Sequence, residues 1–295
     1  MKKRTPVVTR RDFIRGTVGA TLGATLLGPK WLKGKGPGQA EGRSSVFIVR
    51  DQHVMDTSMN IDKSILEKML EQTLTKVTGK NNIKQAWLGL VNPEDVIGLV
   101  PTPLMNPTHD ELIEVIKETL VSAGIPPGNI RDAQGKSVDL DPITALLCLP
   151  GLKAHWLTGI GTTIKNYILY SGAPRNYHHQ DSAKLGEIWN FPQVKGKTRL
   201  ILVDALHPVC DKGPQVDPRY RWAYNGLIAG TDPVAVDTVC LKIIMAQRKK
   251  LRGEPWPLSP PPICVEAADK VYKLGTSNLK NIDIHTIGWD QDLLI

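Results

Sequence analysis

The chain has 295 residues, 41% of them hydrophobic, with a formal net charge of +8, seven histidines and four cysteines. Residues 1–40 hold nine Lys and Arg against one Asp, and the remainder holds 28 basic and 28 acidic residues. The apparent basicity therefore belongs to one end of the chain, which excludes a general nucleic-acid surface. The 255 residues after position 40 suit a single α/β domain, residues 41–295.

Met1 to Ala40 reads as a targeting segment. Basic residues (Lys2, Lys3, Arg4) precede Thr9-Arg10-Arg11-Asp12-Phe13-Ile14, which matches the twin-arginine export pattern. The apolar run from Phe13 to Leu27 is rich in Gly and Thr, too short and too weak to span a membrane. Lys30, Lys33 and Lys35 follow, and Gly38-Gln39-Ala40 is a small-x-small cleavage site. The expected partner is thus the twin-arginine translocase, and the expected location periplasmic or otherwise extracytoplasmic. No membrane span is expected in the mature chain.

Ser45–Arg50 (SVFIVR) predicts a first strand. Ile65, Leu66, Met69, Leu70, Leu74 and Val77 share one face of a helix over Asp62–Val77, closed by Gly79. Asp95–Val100 is a buried strand running into the turn at Pro101. Thr108-x-x-Glu111 has the form of a capping box for a helix ending at Ala123 and Gly124. A turn at Ile125–Gly128 leads to a short strand near Asn129–Asp132. Ala145–Leu149 and Arg199–Ala205 are apolar on both faces, as strands of a parallel sheet are.

Asp232 and Pro233 suit the N-cap and first position of a helix running to about Gln247. A proline-rich loop separates it from a helix over Val265–Leu274, ended by Gly275, and Ile282–Ile287 is a last strand. This alternation predicts an α/β fold, a mostly parallel sheet with helices on both faces in three layers.

Cys148, Cys210, Cys240 and Cys264 are widely spaced, with no CxxC or CxxCH run. Neither a locally ligated iron–sulfur cluster nor a c-type haem is encoded. In an oxidising compartment Cys210 and Cys264 are candidates for a disulfide, while Cys148 and Cys240 read as buried thiols.

The chemistry concentrates in Leu152–Gln180, which holds Lys153, His155, Lys165, His178 and His179 beside Gly159, Gly161 and Gly172. Lysines and neutral imidazoles serve an anion site, a metal or a proton relay. Glycines admit close approach of a ligand to backbone. Ligands of α/β sheets bind beyond the carboxyl ends of strands, where Lys153 and His155 follow Ala145–Leu149 and Asp204 closes the later strand. Asp237 lies among apolar residues and would need a basic partner, Lys153 or Lys165. His178 and His179 are adjacent, so on a strand they point to opposite faces and only one can ligate a given metal.

The run LKAHWLTGIGTTIKN, then ILVDAL, then GPQ, then LIAGTDPVAVD resembles the domain of unknown function 362 family over roughly Asp95–Trp289. That resemblance implies an α/β fold with a redox or metal association. Where relatives commonly carry a lysine and an asparagine after the second strand, this chain has Leu99-Val100-Pro101-Thr102, so one basic ligand group is missing. The iron–sulfur domain appended in some members is also missing.

The reading is an exported envelope enzyme, open to a redox link, with an anion- or metal-binding crevice. Lys153, His155, Lys165 and Asp204 are the expected catalytic residues, with Asp204 as partner of His155. Asn166, Gly161 and Asp237 are expected to bind ligand or cofactor, and His155, His178 and His179 are the candidates for a metal ion. Alternatives are a non-catalytic binding protein for a small anion or metal, and an assembly factor for an exported complex.

Overall fold

The computed structural model describes residues 42–135 and 138–295, so the export segment lies outside the described residues. Strand β1 (Ser44–Arg50) is followed by α1 (Lys63–Thr78). The Asp62 carboxylate accepts the Ser64 and Ile65 N–H groups at the start of α1, and Gly79 closes it at φ +68°. Helix α2 (Ile83–Leu90), capped by Asn82, was not anticipated. Its eight residues give barely two turns, too few for a periodic apolar face to show. Strand β2 (Ile97–Pro101) leads to α3 (Asp110–Ala123), then β3 (Ile130–Asp132) and β4 (Ala145–Leu149).

The expected capping box at Thr108 does not form. The Thr108 hydroxyl accepts the Thr102 N–H and donates to the Leu149 carbonyl. His109 is left as the N-cap of α3 without a side-chain cap bond. Beyond β4 no regular element was expected before Arg199. Instead the chain forms β5 (Gly151–His155) and β6 (Gly159–Ile160), then short 3-10 turns and α4 (Leu185–Ile188).

Strand β7 (Thr198–Val209) runs four residues beyond its expected end. β8 (Gly226–Gly230) was missed because glycines bound its three apolar residues. Helix α5 (Pro233–Arg252) starts at Asp232 as expected. Helix α6 (Ile263–Lys270) stops short of Leu274, because the chain turns back to Asp232. The Thr276 N–H donates to Asp232 Oδ2 at 3.0 Å, and a Cβ on Gly275 would lie 1.7 Å from Asp232 Oδ1. Strand β9 (Ile282–Gly288) ends the chain's sheet.

The strands run in the order β3-β2-β4-β7-β8-β1-β9, with β5 and β6 attached beside β7. Pairing is parallel except at β8, antiparallel to β7 and β1, and between β5 and β6. The length of β7 is what builds the site. Its first half pairs with β4, and its second half pairs with β5, Asp204 opposite Gly151 and Val209 opposite Lys153.

Side chains alternate across β7 with the strand's period of two. Leu200 and Leu202 enter the core beneath α1, α2 and α3, with Leu66, Leu70, Trp87 and Ile116. Ile201 and Val203 enter the core beneath α5 and α6, with Val236, Cys240 and Cys264. The result is the three-layer α/β arrangement that the strand and helix alternation predicts.

Candidate functional site

The site forms where β2 and β4 end and β5 begins. The loop from Thr102 to His109 crosses these carboxyl ends, carrying Met105 (φ +53°) and Asn106 (φ +66°) in the left-handed region. Non-glycine residues adopt that conformation at a cost, and such strain is concentrated at ligand sites.

Lys153, on β5, is only 4% exposed. Its Nζ donates to Thr102 Oγ1 (3.2 Å), the Asn106 carbonyl (3.1 Å) and the Gly151 carbonyl (3.2 Å). All three are neutral oxygens. Burial, and then the neighbouring charge of Lys165, push its pKa down to about 7, against a weaker pull from Asp204.

His155, two residues on, is also buried, and its Nδ1 accepts the Leu157 N–H at 3.1 Å. That bond places the proton of a neutral ring on Nε2. Burial, helped by Lys165, His178 and Lys153, pushes its pKa down to about 2, so the ring stays neutral. Gly161 closes against it, since a Cβ there would lie 3.0 Å from His155 Cδ2. The Gly161 N–H donates to the Lys153 carbonyl.

The two adjacent histidines part, although neither lies on a strand: His179 opens a 3-10 turn at φ +54°. The His178 ring stacks on His155 with centroids 5.8 Å apart and planes 8° from parallel. Burial and Lys165 lower it to about 4. His179 is exposed, and its backbone N–H is held by the Leu157 carbonyl. A metal set of His155, His178 and His179 therefore does not assemble. His155 Nδ1 is already engaged by the Leu157 N–H. Among the described residues no three of His, Cys, Asp and Glu are grouped to hold a metal ion.

Lys165 is half-buried, and burial pushes it down to about 8. Among the described residues its ammonium has no hydrogen-bond or ion-pair partner. Two of the expected ligand-binding residues instead support the turn that carries it. Asp237 was expected to pair with a lysine, yet its oxygens accept the Thr163 N–H (2.7 Å) and the Ile164 N–H (2.8 Å). Two N–H donors satisfy the buried carboxyl locally, although burial still raises it to about 6. Asn166 Nδ2 donates to the Val100 carbonyl (2.6 Å) and Cys148 Sγ (3.4 Å), fastening the same turn to β2 and β4.

Asp204 was expected to orient His155. It binds His109 instead, accepting both its backbone N–H (2.8 Å) and its Nδ1 (2.7 Å), and takes the Leu206 N–H as well. Burial alone would raise this carboxyl, but His109 outweighs it and holds it below the usual carboxylate value. His109 is raised in turn, the carboxylate outweighing burial. Arg221 stands nearby, its Nε donating to the His207 carbonyl. Burial first, then Arg221 and His109, lower His207 to about 4.

The cluster thus brings Lys153, His155, Lys165 and His178 within electrostatic reach of one another, and joins Lys153 to Asp204 through β7. A cleft of about 320 Å3 opens beside it at the ends of β2 and β3. The cleft is lined by Thr102, Pro103, Thr108, Asp110, Lys117 and Gln134, not by the lysines of the cluster. It shares Thr102 with the coordination of Lys153. Sequence reasoning missed Thr102, Asn106, His109 and Arg221. The one signal for His109 was a histidine just before a helix, at the carboxyl end of a strand.

Residues 128–242 match the family model described as Domain of unknown function (DUF362). The match includes Lys153, His155, Lys165, Asp204 and Asp237, and leaves out Thr102, Asn106 and His109. No curated protein and no solved structure matches the chain.

Proposed function

We propose that the chain is an exported envelope enzyme whose crevice binds a small oxyanion at Lys165, with the buried charge of Lys153 beside it. The observation that carries this reading is the uncompensated basic cluster. Two lysines and two imidazoles lie close together, and the buried carboxylates Asp204 and Asp237 are committed elsewhere, Asp204 to His109 and Asp237 to the Thr163 and Ile164 N–H groups. Removing a cation from water without a counter-charge costs several kcal/mol. A bound carboxylate or phosphate group would supply that counter-charge. Lysines lowered to about 7 and 8 also titrate near neutrality, where a group can both hold and release a proton. Location outside the cytoplasm rests on the Arg10-Arg11 pattern and is part of the same proposal.

Calorimetric titration with inorganic phosphate, and with mono- and dicarboxylates, tests the binding. Affinity should be measurable at pH 6.5 and weaken strongly by pH 9, as both lysines lose their protons. Absence of binding, or an affinity indifferent to pH, would contradict the proposal.

A further inference from the structure

We infer that His109, oriented by Asp204, is the proton-transfer residue of the crevice. It would act on a bound water or on a hydroxyl of the anion held at Lys165 beside Lys153, and so rests on the proposed anion site. The argument begins with how His109 is held. One carboxylate oxygen, Asp204 Oδ2, accepts both its backbone N–H and its Nδ1–H. Backbone and ring are fixed by the same atom, and Nδ1 is the donor. The lone pair of a neutral ring is then on Nε2, the atom not committed to Asp204. The side chain of Asp204 is 2% exposed and that of His109 is 21% exposed. A buried acceptor thus orients a ring that reaches solvent, the base-and-orienter arrangement of proton-transfer sites.

His155 cannot do this work. Its Nδ1 lone pair is taken by the Leu157 N–H, and burial, with Lys165 nearby, opposes its protonation. It can donate from Nε2 but gains a proton only at great cost. His109 faces the opposite balance: Asp204 (β7) stabilises its charged form, as does Glu111 on its own helix, and Arg221 opposes them. In the transfer, the Nε2 lone pair takes the proton and the O–H bonding pair stays on oxygen. The imidazolium is balanced by Asp204 and later returns the proton to product or leaving group.

Two contacts connect this pair with Lys153. Thr102 Oγ1 receives the Lys153 ammonium, and the Thr102 N–H donates to Thr108 Oγ1, the residue before His109. In the same loop Asn106 is buried, and its side-chain Oδ1 has no hydrogen-bond partner among the described residues. The backbone carbonyl of the same residue takes the Lys153 ammonium, and the free side-chain acceptor suits a ligand that brings an O–H donor as well as its oxyanion. The substrate class is therefore a small oxyanion that also bears a hydroxyl.

The test is carbethoxylation of the full chain by diethylpyrocarbonate, followed at each histidine by peptide mass spectrometry. Inorganic phosphate at ten times its Kd should slow modification of His109 about tenfold by mass action. Asp204→Asn should lower the pH midpoint of His109 modification by about one unit or more. His109 modified at one rate with and without phosphate, while calorimetry shows phosphate bound, would overturn the inference and leave the anion site standing. An unchanged midpoint in a folded Asp204→Asn variant would overturn it too. If phosphate does not bind at all, the anion site fails and the inference falls with it. The phosphate comparison uses the unaltered chain and stands even where the variant does not fold.

Discussion

The Nζ of Lys153 lies 3.1 Å from the carbonyl oxygen of Asn106, a residue held in the left-handed region at φ +66°. The most buried ammonium of the crevice is thus coordinated by a strained loop rather than by a carboxylate. Three neutral oxygens satisfy its hydrogen-bonding geometry, yet they leave its charge unbalanced. Everything proposed for the crevice follows from that imbalance.

One consequence is a dependence of stability on pH. Lys153 and Lys165 are lowered in the folded chain to about 7 and 8 from an ordinary value of 10.5. Across that window the unfolded chain binds more protons than the folded one, so stability rises with pH. The Tm in chloride buffer should climb between pH 7 and 8.5, and the climb should flatten in Lys153→Met. Above that range the buried thiols of Cys210 and Cys264, raised by burial to about 11 and 12, pull the other way. A Tm with the same pH slope in the wild type and Lys153→Met would contradict the assignment.

Asp232 is a structural carboxylate with more duties than a helix cap. Oδ1 accepts the Val234 and Ala235 N–H groups, and Oδ2 accepts the Ser44 hydroxyl and the Thr276 N–H. It therefore ties α5 to β1 and to the turn after α6. Asp232→Ala should cost about 2–3 kcal/mol, above the ~1 kcal/mol of a lost cap alone, and leave phosphate affinity unchanged. Denaturant unfolding beside a binding titration checks both. Loss of binding at full stability would move Asp232 into the site.

No disulfide joins Cys210 and Cys264; all four cysteines are buried free thiols. The pairing expected from an oxidising compartment does not form: Cys264 sits in the first turn of α6 with its Sγ directed at the Thr158 carbonyl. Cys210 follows β7, its carbonyl accepting a hydrogen bond from Arg248. Thiol titration after denaturation should count four, and dithiothreitol should leave the Tm unmoved. A reductant-induced drop of several degrees would contradict this.

The long elements and the centre of the cluster were legible in the sequence. Both-face apolar runs such as Arg199–Ala205 and caps such as Asp62 and Asp232 carry local signals, and local signals survive into the fold. Lys153, His155 and Lys165 were legible because they share one short stretch. What stayed hidden was pairing at a distance. The second half of β7 is a strand only because β5 lies beside it, and β8 only because β7 and β1 flank it. The partner of Asp204 is 95 residues away in sequence, and no spacing rule connects them. The capping-box expectation at Thr108 failed for the same reason, since a β4 carbonyl claims the hydroxyl.

Export makes its own prediction. Arg10→Lys with Arg11→Lys should keep the chain in the cytoplasm, because the receptor reads the arginine pair as an address. Cell fractionation decides it, and normal export of the double variant would remove the envelope location from the proposal.

The central claim is that Lys165 is kept for a ligand and not for the fold, and its most direct test is one variant measured two ways. Lys165→Ala should bind inorganic phosphate at least about tenfold more weakly, the loss of one charge-assisted hydrogen bond. Its Tm should stay level or rise slightly, because an unpartnered half-buried cation has been removed. A Lys165→Ala chain that binds phosphate as the wild type does, and melts several degrees lower, would contradict the account.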